Sequence, residues 1–182
     1  MLQGKAVLIT GASSGLGRHF AKVVAENGAS KIAIAARRIE KLEELKQELL
    51  KMKPTGALIS CIPMDVSNIS SISKGFDSIE KEWNEPAEVI INNAGISITG
   101  SFLKVLENDY DELMTVNLKG AFFVCQEAAK RLVPLKKGSI VNISSILGLR
   151  VGTDLSTYAI SKAGVIQMTK AAALELVKFP DF

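Results

Sequence analysis

The sequence predicts an α/β fold in which a doubly wound parallel sheet carries helices on both faces. Two observations lead to this prediction: apolar stretches and helical patterns alternate along the chain, and the apolar stretches are short and without polar residues at every second position. Strands of this kind are typical of parallel sheets that are buried on both faces, and right-handed crossovers then place helices on both sides. We expect residues 1–182 to form a single domain.

Each predicted strand is short and rich in valine, isoleucine or alanine. The predicted strands span residues 5–10, 31–36, 57–64, 87–92 and 139–144. The predicted helices run to residue 27 after the first strand, and then span residues 39–53, 68–82, about 107–133 and 155–178. The second helix is a clear case, because Leu42, Leu45 and Leu49 share one face. Pro54 is expected to end this helix, and Gly28 to stop the first.

The composition argues against several classes of protein. The net charge of +3 is too small and too dispersed to indicate a nucleic-acid partner or an anionic membrane surface. Cys61 and Cys125 each lie in an apolar stretch, so we expect buried, reduced thiols, and a lone His19 cannot anchor a histidine-based metal site. No apolar stretch approaches the ~18 residues of a membrane span, and no signal peptide precedes the first strand. We expect a cytoplasmic protein, or one from an organelle whose targeting segment is missing from this sequence.

Ligands of doubly wound folds bind beyond the carboxyl ends of the strands. The first strand is followed by TGASSGLG (10–17), whose glycines allow the backbone to approach a diphosphate closely. The following helix adds unpaired N–H groups and the positive end of its dipole. The residues expected to contact the diphosphate are Gly11, Ser13, Ser14, Gly15, Leu16 and Gly17. The alternative is a glycine-rich turn that binds no ligand.

The second strand ends in AARR, which bears on the choice of cofactor. NAD-binding folds often place an acidic residue there to bind the ribose 2′-hydroxyl, whereas this chain has Ala36 followed by Arg37 and Arg38. An arginine pairs with a 2′-phosphate through two parallel hydrogen bonds, so the sequence favours NADP(H). The alternative is that an arginine merely solvates the helix start, which we expect for Arg38 more than for Arg37.

Polar residues follow the third and fourth strands as well. Asp65 can accept a hydrogen bond from an adenine amino group with Val66 against the ring, or it can cap the next helix, and the two roles are compatible. The fourth strand ends in NNAG (92–95). We expect Asn92 to link neighbouring strand ends, while Ala94 and Gly95 leave room for a flat ligand.

The fifth strand and the last helix supply the candidate chemical groups. Ser144 or Ser145 emerges from the strand, and no histidine or aspartate pairs with them in a nucleophile motif, so a serine here is better suited to hold a carbonyl oxygen. Tyr158 and Lys162 are four residues apart and therefore share one helix face. Taken alone, this pair also fits an ordinary tyrosine–lysine contact on an exposed helix.

The motifs TGASSGLG, NNAG, VNLKG, NISS and YAISK, in this order, resemble those of the short-chain dehydrogenase/reductase family, and the resemblance runs from Lys5 to about Val177. It implies a Rossmann-type fold and hydride transfer between NADP(H) and a small-molecule ketone or secondary alcohol. The implied catalytic tetrad falls on Asn117, Ser145, Tyr158 and Lys162.

The resemblance also implies roles for these residues. Ser145 is preferred over Ser144 because the family's serine stands thirteen residues before its tyrosine. Asn93 matches a cofactor-contacting position, and Asn117 would kink its helix and hold a water on a proton relay. A free phenol has a pKa of about 10, a poor match to neutral pH, and an ammonium ~4 Å away favours its ionised form by about 4 kcal/mol. We therefore expect Lys162 to tune Tyr158 as general acid and base, and also to bind the nicotinamide ribose.

The sequence also suggests where a substrate would lie and which helices would mediate assembly. The candidate substrate walls span residues 96–99 and 147–150 with Leu155, and they are mostly apolar. In the family, the helices that match residues 113–132 and the last helix pack against their twins. We therefore expect a homo-oligomer, a tetramer or a dimer.

Family members usually continue past the last helix through two more strands and a segment that covers the substrate. This sequence ends at Phe182, so we expect a C-terminally incomplete sheet that lacks its last two strands. We expect ketone reduction from a longer form, and little or no turnover from the 182 residues alone. The alternative is a truncated, non-catalytic form that binds a nucleotide or a partner subunit.

Overall fold

A computed structural model describes residues 2–52 and 56–179. Its sheet is parallel throughout, with strand order β3-β2-β1-β4-β5. The strands are β1 (Ala6–Thr10), β2 (Lys31–Ala36), β3 (Leu58–Pro63), β4 (Val89–Asn92) and β5 (Ser139–Asn142). The helices are α1 (Gly15–Glu26), α2 (Ile39–Lys51), α3 (Ile69–Trp83), α4 (Glu107–Met114), α5 (Ala121–Leu132) and α6 (Ser156–Leu176). The doubly wound α/β prediction is confirmed.

The long helical stretch predicted over 107–133 is continuous but not uniform. A π-helical segment, Thr115–Gly120, joins α4 to α5. A π turn widens the helix by one residue and is frequent at functional sites. The predicted end of α2 at Pro54 lies outside the described residues.

The core has one layer on each face of the sheet. Strand residues alternate between the layers: Val7 and Ile9 pack with α1 and α2, whereas Leu8 packs towards α3 and α5. The predicted leucine face of α2 is confirmed, since its three leucines are fully buried. Burial on both faces explains why the central strands are apolar except at their ends.

The end of the sheet at β5 is only partly covered. Val141 in β5 faces the same side as Ile91 in β4, yet it is 46% exposed. Among the described residues, no strand pairs with the outer edge of β5. The described sheet therefore has five strands and an open β5 edge, as the sequence predicted.

The two cysteines differ in burial. Cys125 is buried as predicted, but Cys61 is only partly buried, so that expectation is wrong for Cys61. Burial raises the pKa of the Cys61 thiol to about 12 and also raises that of Cys125.

Residues 2–52 and 56–179 contain no metal-binding group of three or more His, Cys, Asp or Glu side chains. The same residues form no helix long and apolar enough to cross a membrane.

Candidate active site

The carboxyl ends of the strands surround one cavity of about 470 Å³. Every residue predicted to contact the cofactor lines this cavity except Gly17, and Tyr158 and Lys162 lie at it too. Asn117 and Ser145, the other two predicted tetrad residues, are not among its lining residues. The fold therefore gathers the cofactor-binding candidates from the carboxyl ends of four strands and from α6.

The glycine loop packs tightly against the end of β4. Gly11 has a φ of +69°, and a Cβ atom there would lie 2.7 Å from the Cα atom of Ala94. A Cβ atom on Gly17 would overlap the carbonyl oxygen of Gly11. Gly17 thus serves loop packing, while the side chain of Ser14, the residue that precedes α1, caps no helix N–H group. Uncapped N–H groups at this end suit an anionic ligand.

Thr10 joins the carboxyl end of β1 to the residues that follow β4, a role that was not predicted from the sequence. Its Oγ1 atom accepts hydrogen bonds from the backbone N–H groups of Asn93 (3.0 Å) and Ala94 (3.1 Å). The Asn93 side chain donates back to the Thr10 carbonyl at 2.9 Å. A threonine at the last position of a buried strand, just before a glycine loop, is the signal that could have revealed this role.

The two arginines after β2 behave differently from each other. Arg37 is exposed and lines the cavity. Arg38 also lines it, and its Nη2 atom donates to the hydroxyl oxygens of Ser13 (3.0 Å) and Ser14 (3.1 Å). The expectation that Arg38 merely solvates the helix start is therefore wrong, because its guanidinium binds the glycine loop.

Asp65 does not cap α3, contrary to one of its two predicted roles. Its Oδ1 atom accepts hydrogen bonds from the backbone N–H (2.9 Å) and the hydroxyl (2.7 Å) of Ser67. The capping residue is Asn68, whose side chain accepts from the Ser71 N–H at 3.2 Å. A short turn separates β3 from the helix, so the cap falls three residues later than Asp65.

Asn92 makes the structural network that the sequence suggested. Its Nδ2 atom donates to the carbonyl of Ala121 and to the side chain of Asn142, both at 2.8 Å. Asn142 in turn donates to the Thr169 hydroxyl at 3.1 Å. This chain of bonds joins β4, β5, α5 and α6 beneath the cavity.

Tyr158 and Lys162 face the same point, as their spacing predicts. The Lys162 Nζ atom lies 5.8 Å from the centre of the Tyr158 ring and donates to the Ile143 carbonyl at 2.9 Å. Lys162 is only 5% exposed, and this burial lowers the pKa of its ammonium. A buried cation beside a phenol can stabilise the phenolate when that phenol gives up its proton.

The two serines that follow β5 are distinguished by their hydrogen bonds. The Ser144 hydroxyl donates to the Lys162 backbone carbonyl at 2.8 Å, so its proton is already used. The Ser145 hydroxyl accepts from the Leu147 N–H at 3.1 Å and keeps its own proton available for a ligand. This favours Ser145 as a donor, although it lies outside the lining of the cavity.

Asn117 is buried in the π-helical segment, and its side chain makes three hydrogen bonds. Its Oδ1 atom accepts from the Ile96 N–H at 2.8 Å, and its Nδ2 atom donates to the Ile96 carbonyl at 2.9 Å and to the Ser161 hydroxyl at 3.2 Å. The side chain therefore anchors the loop after β4, and both of its amide protons are used within the protein.

The predicted substrate walls are only partly assembled. Ile96 and Ser97 line the cavity, whereas Leu149 and Arg150 are exposed outside it. Leu155 precedes α6 and is partly buried. Of the predicted substrate walls, only Ile96 and Ser97 therefore lie at the cavity.

A doubly wound sheet whose strand ends surround a cavity lined by a glycine loop and a tyrosine–lysine pair is typical of nicotinamide-dependent oxidoreductases. The chain belongs to the short chain dehydrogenase family, whose model matches residues 5–179. This confirms the family to which the sequence motifs pointed.

Similar proteins include both named enzymes and solved structures. A probable 2,4-dienoyl-CoA reductase of Caenorhabditis elegans is 35% identical over 179 residues, which cover 98% of this chain and 57% of that protein. A 3-oxoacyl-(acyl-carrier-protein) reductase of Thermotoga maritima is 35% identical over 96% of this chain and 69% of its own length. The crystal structure of a putative short-chain alcohol dehydrogenase from Sinorhizobium meliloti matches 98% of this chain and 69% of that one, with a TM-score of 0.91 and 30% identity. This chain therefore spans roughly three fifths to two thirds of the length of such relatives.

Proposed function

We propose that this chain binds NADP(H) and carries the groups that transfer hydride between the nicotinamide and a ketone or secondary alcohol. One observation carries the proposal: a buried lysine stands 5.8 Å from the ring centre of Tyr158 in the cavity that also contains the glycine loop and both arginines. The cofactor would supply or accept the hydride, and the protein would supply the proton, the orientation and the electrostatics.

The proton chemistry belongs to Tyr158 and its neighbours. In ketone reduction, the phenol would give its proton to the carbonyl oxygen as hydride reaches the carbonyl carbon. The Lys162 ammonium, 5.8 Å from the ring centre, would stabilise the phenolate that forms, and the Ser145 hydroxyl would donate a hydrogen bond to the substrate oxygen. Asn117 would act through the loop at Ile96 that it anchors.

The preference for the phosphorylated cofactor rests on the end of β2. Arg37 and Arg38 both line the cavity, and no acidic residue occupies the end of that strand. The two positive charges support a 2′-phosphate, which an acid would repel. Asp65 and Val66 line the same region and would contact the adenine.

The surroundings of the site support an apolar carbonyl substrate. Ile96 lines the cavity, and Ile146, Leu149 and Val151 are exposed on the loop after β5. Relatives named for acyl-thioester substrates make 3-oxoacyl thioesters the first compounds to test.

A single-turnover assay tests the proposal, because protein in excess over NADPH reveals even slow hydride transfer. NADPH absorbance is followed after a 3-oxoacyl thioester or a simple ketone is added. We expect slow NADPH oxidation that depends on the carbonyl compound, in keeping with the little or no turnover expected of these residues, and still slower oxidation of NADH. Cofactor that is bound but never oxidised by any carbonyl compound would contradict the catalytic proposal.

That last outcome describes the second candidate function, a non-catalytic nucleotide-binding or subunit-interaction form. One observation favours it: Ser145, the candidate donor to the substrate oxygen, lies outside the lining of the cavity. Saturable NADPH binding without single-turnover reduction would select this function.

A further inference from the structure

Ser161 is a fully buried polar residue whose hydroxyl both donates and accepts a hydrogen bond. It lies on α6 between Tyr158 and Lys162, and it is 0% exposed. The hydroxyl donates to the Tyr158 backbone carbonyl at 2.7 Å and accepts from the Asn117 side chain at 3.2 Å. One side chain thus joins two of the four predicted tetrad residues, Tyr158 and Asn117, by hydrogen bonds.

The bond to Asn117 completes a closed set of hydrogen bonds. One proton of the Asn117 amide is held by the Ile96 carbonyl, and the Asn117 carbonyl oxygen accepts from the Ile96 N–H. The other proton of the Asn117 amide is donated to the Ser161 hydroxyl. Removal of the hydroxyl would leave that buried donor without a partner.

We propose that Ser161 is a positioning residue that fixes the π-helical segment against α6. It does not line the cavity, so it acts through Asn117 and through the turn of α6 that carries Tyr158. The proposal rests on the proposed function for its effect on rate. Displacement of a catalytic group by about 1 Å is enough to slow a reaction by roughly 100-fold.

Thr169 offers a matched control on the same helix. Its hydroxyl donates to the Val165 backbone carbonyl at 2.7 Å and accepts from the Asn142 side chain at 3.1 Å. This is the same pattern of one helix carbonyl and one asparagine amide, but Thr169 lies two turns beyond the tyrosine–lysine pair. A purely structural role for such a hydroxyl predicts similar effects of Ser161→Ala and Thr169→Val.

The first readout is the single-turnover rate as a function of carbonyl concentration. For Ser161→Ala we expect a maximal rate lower by about 10- to 100-fold with a half-saturating concentration changed less than about 3-fold. For Thr169→Val we expect the maximal rate to stay within about 2-fold. In the double variant with Asn117→Ala, the losses should not add, because both residues act through one contact. Equal losses in Ser161→Ala and Thr169→Val, or an unchanged rate in Ser161→Ala, would overturn the proposal.

The second readout does not need turnover. The Ile96 N–H is held by Asn117, so its hydrogen exchange reports whether that side chain stays in place. We expect faster exchange at Ile96 in Ser161→Ala and no change in Thr169→Val. If the unaltered protein transfers no hydride, the proposed function fails, and the exchange experiment alone decides the positioning claim. Unchanged exchange at Ile96 in Ser161→Ala would then refute it.

Discussion

Lys162 is a single residue whose burial lowers the stability of the fold while placing a positive charge beside Tyr158. Its ammonium is almost wholly buried, its Nζ atom donates to one carbonyl, and burial lowers its pKa. A buried cation with incomplete compensation costs folding free energy. We interpret the position as a functional one, because an apolar residue would fill the same space without that cost.

The stability of a Lys162→Met variant should depend on pH differently from that of the unaltered protein. Between the lowered folded-state pKa of Lys162 and its unfolded value of about 10.4, the unfolded chain binds more protons than the folded one. The unfolding free energy of the unaltered protein, relative to the variant, should therefore rise as the pH increases from about 7 to about 10. Urea unfolding at both pH values measures this. A difference that does not change with pH would contradict the assignment.

Arg37 should set the preference between the two nicotinamide cofactors. Arg37→Asp replaces an attraction for the 2′-phosphate with a repulsion, so NADPH binding should weaken by at least about 10-fold, or about 1.4 kcal/mol, with little loss for NADH. Titrations followed by nicotinamide fluorescence give both affinities. Arg150→Asp is the control, since Arg150 is exposed outside the cavity. Equal affinity of the unaltered protein for both cofactors would remove the proposed role.

At the scale of elements, α5 is joined to α3 by charge as well as by apolar packing. Arg131 on α5 pairs with Asp77 on α3 and with Glu127 one turn back, both at 2.6 Å. Its guanidinium also lies 5.0 Å from the centre of the Phe76 ring. The Glu127 carboxylate is buried, and the neighbouring cations lower its pKa despite that burial.

Arg131→Met should therefore destabilise the fold without touching the cavity. We expect a loss of about 2 kcal/mol in the free energy of unfolding, because charge-assisted hydrogen bonds of a partly buried group are lost. Lys130→Met is the matched control, since Lys130 pairs with Glu127 from an exposed position and should cost under about 0.5 kcal/mol. Chemical denaturation of both variants at neutral pH measures the two losses. Equal losses would show that Arg131 adds nothing beyond a surface charge.

The sequence predicted the elements well where one local pattern decides the structure. The buried strands and the leucine face of α2 follow from periodicity alone, and the glycine loop follows from its place after β1. The cap at Asn68 is a local contact with Ser71, and it was missed because Asp65 was considered as the capping residue instead. The resemblance implied a kink at Asn117, but the π turn found there was not predicted, because it depends on contacts between elements. Arg38 was misjudged for the same reason, since its two serine partners lie about 25 residues away in the chain.

At the scale of the whole molecule, apolar side chains are exposed on the helices expected to mediate assembly. Phe122 on α5 and Ile160 on α6 are about half exposed, and Tyr110 on α4 is 40% exposed. We expect the protein to form a dimer or tetramer in which these helices pack against their twins.

Phe122→Arg should weaken that assembly, because burial of an unpaired guanidinium opposes association. Val23→Arg on α1 is the control, since Val23 is exposed to a similar degree on a different helix. Light scattering at micromolar concentration gives the mass of each variant. A monomeric unaltered protein would contradict the expectation outright.

The proposed reaction requires Tyr158 to give its proton to the carbonyl oxygen as NADPH supplies the hydride. This is tested by the single-turnover rate of carbonyl reduction by Tyr158→Phe, which keeps the ring and its packing but removes the proton. We expect a loss of at least about 100-fold, with NADPH affinity nearly unchanged. A folded Tyr158→Phe variant that keeps most of the rate of the unaltered protein would contradict it.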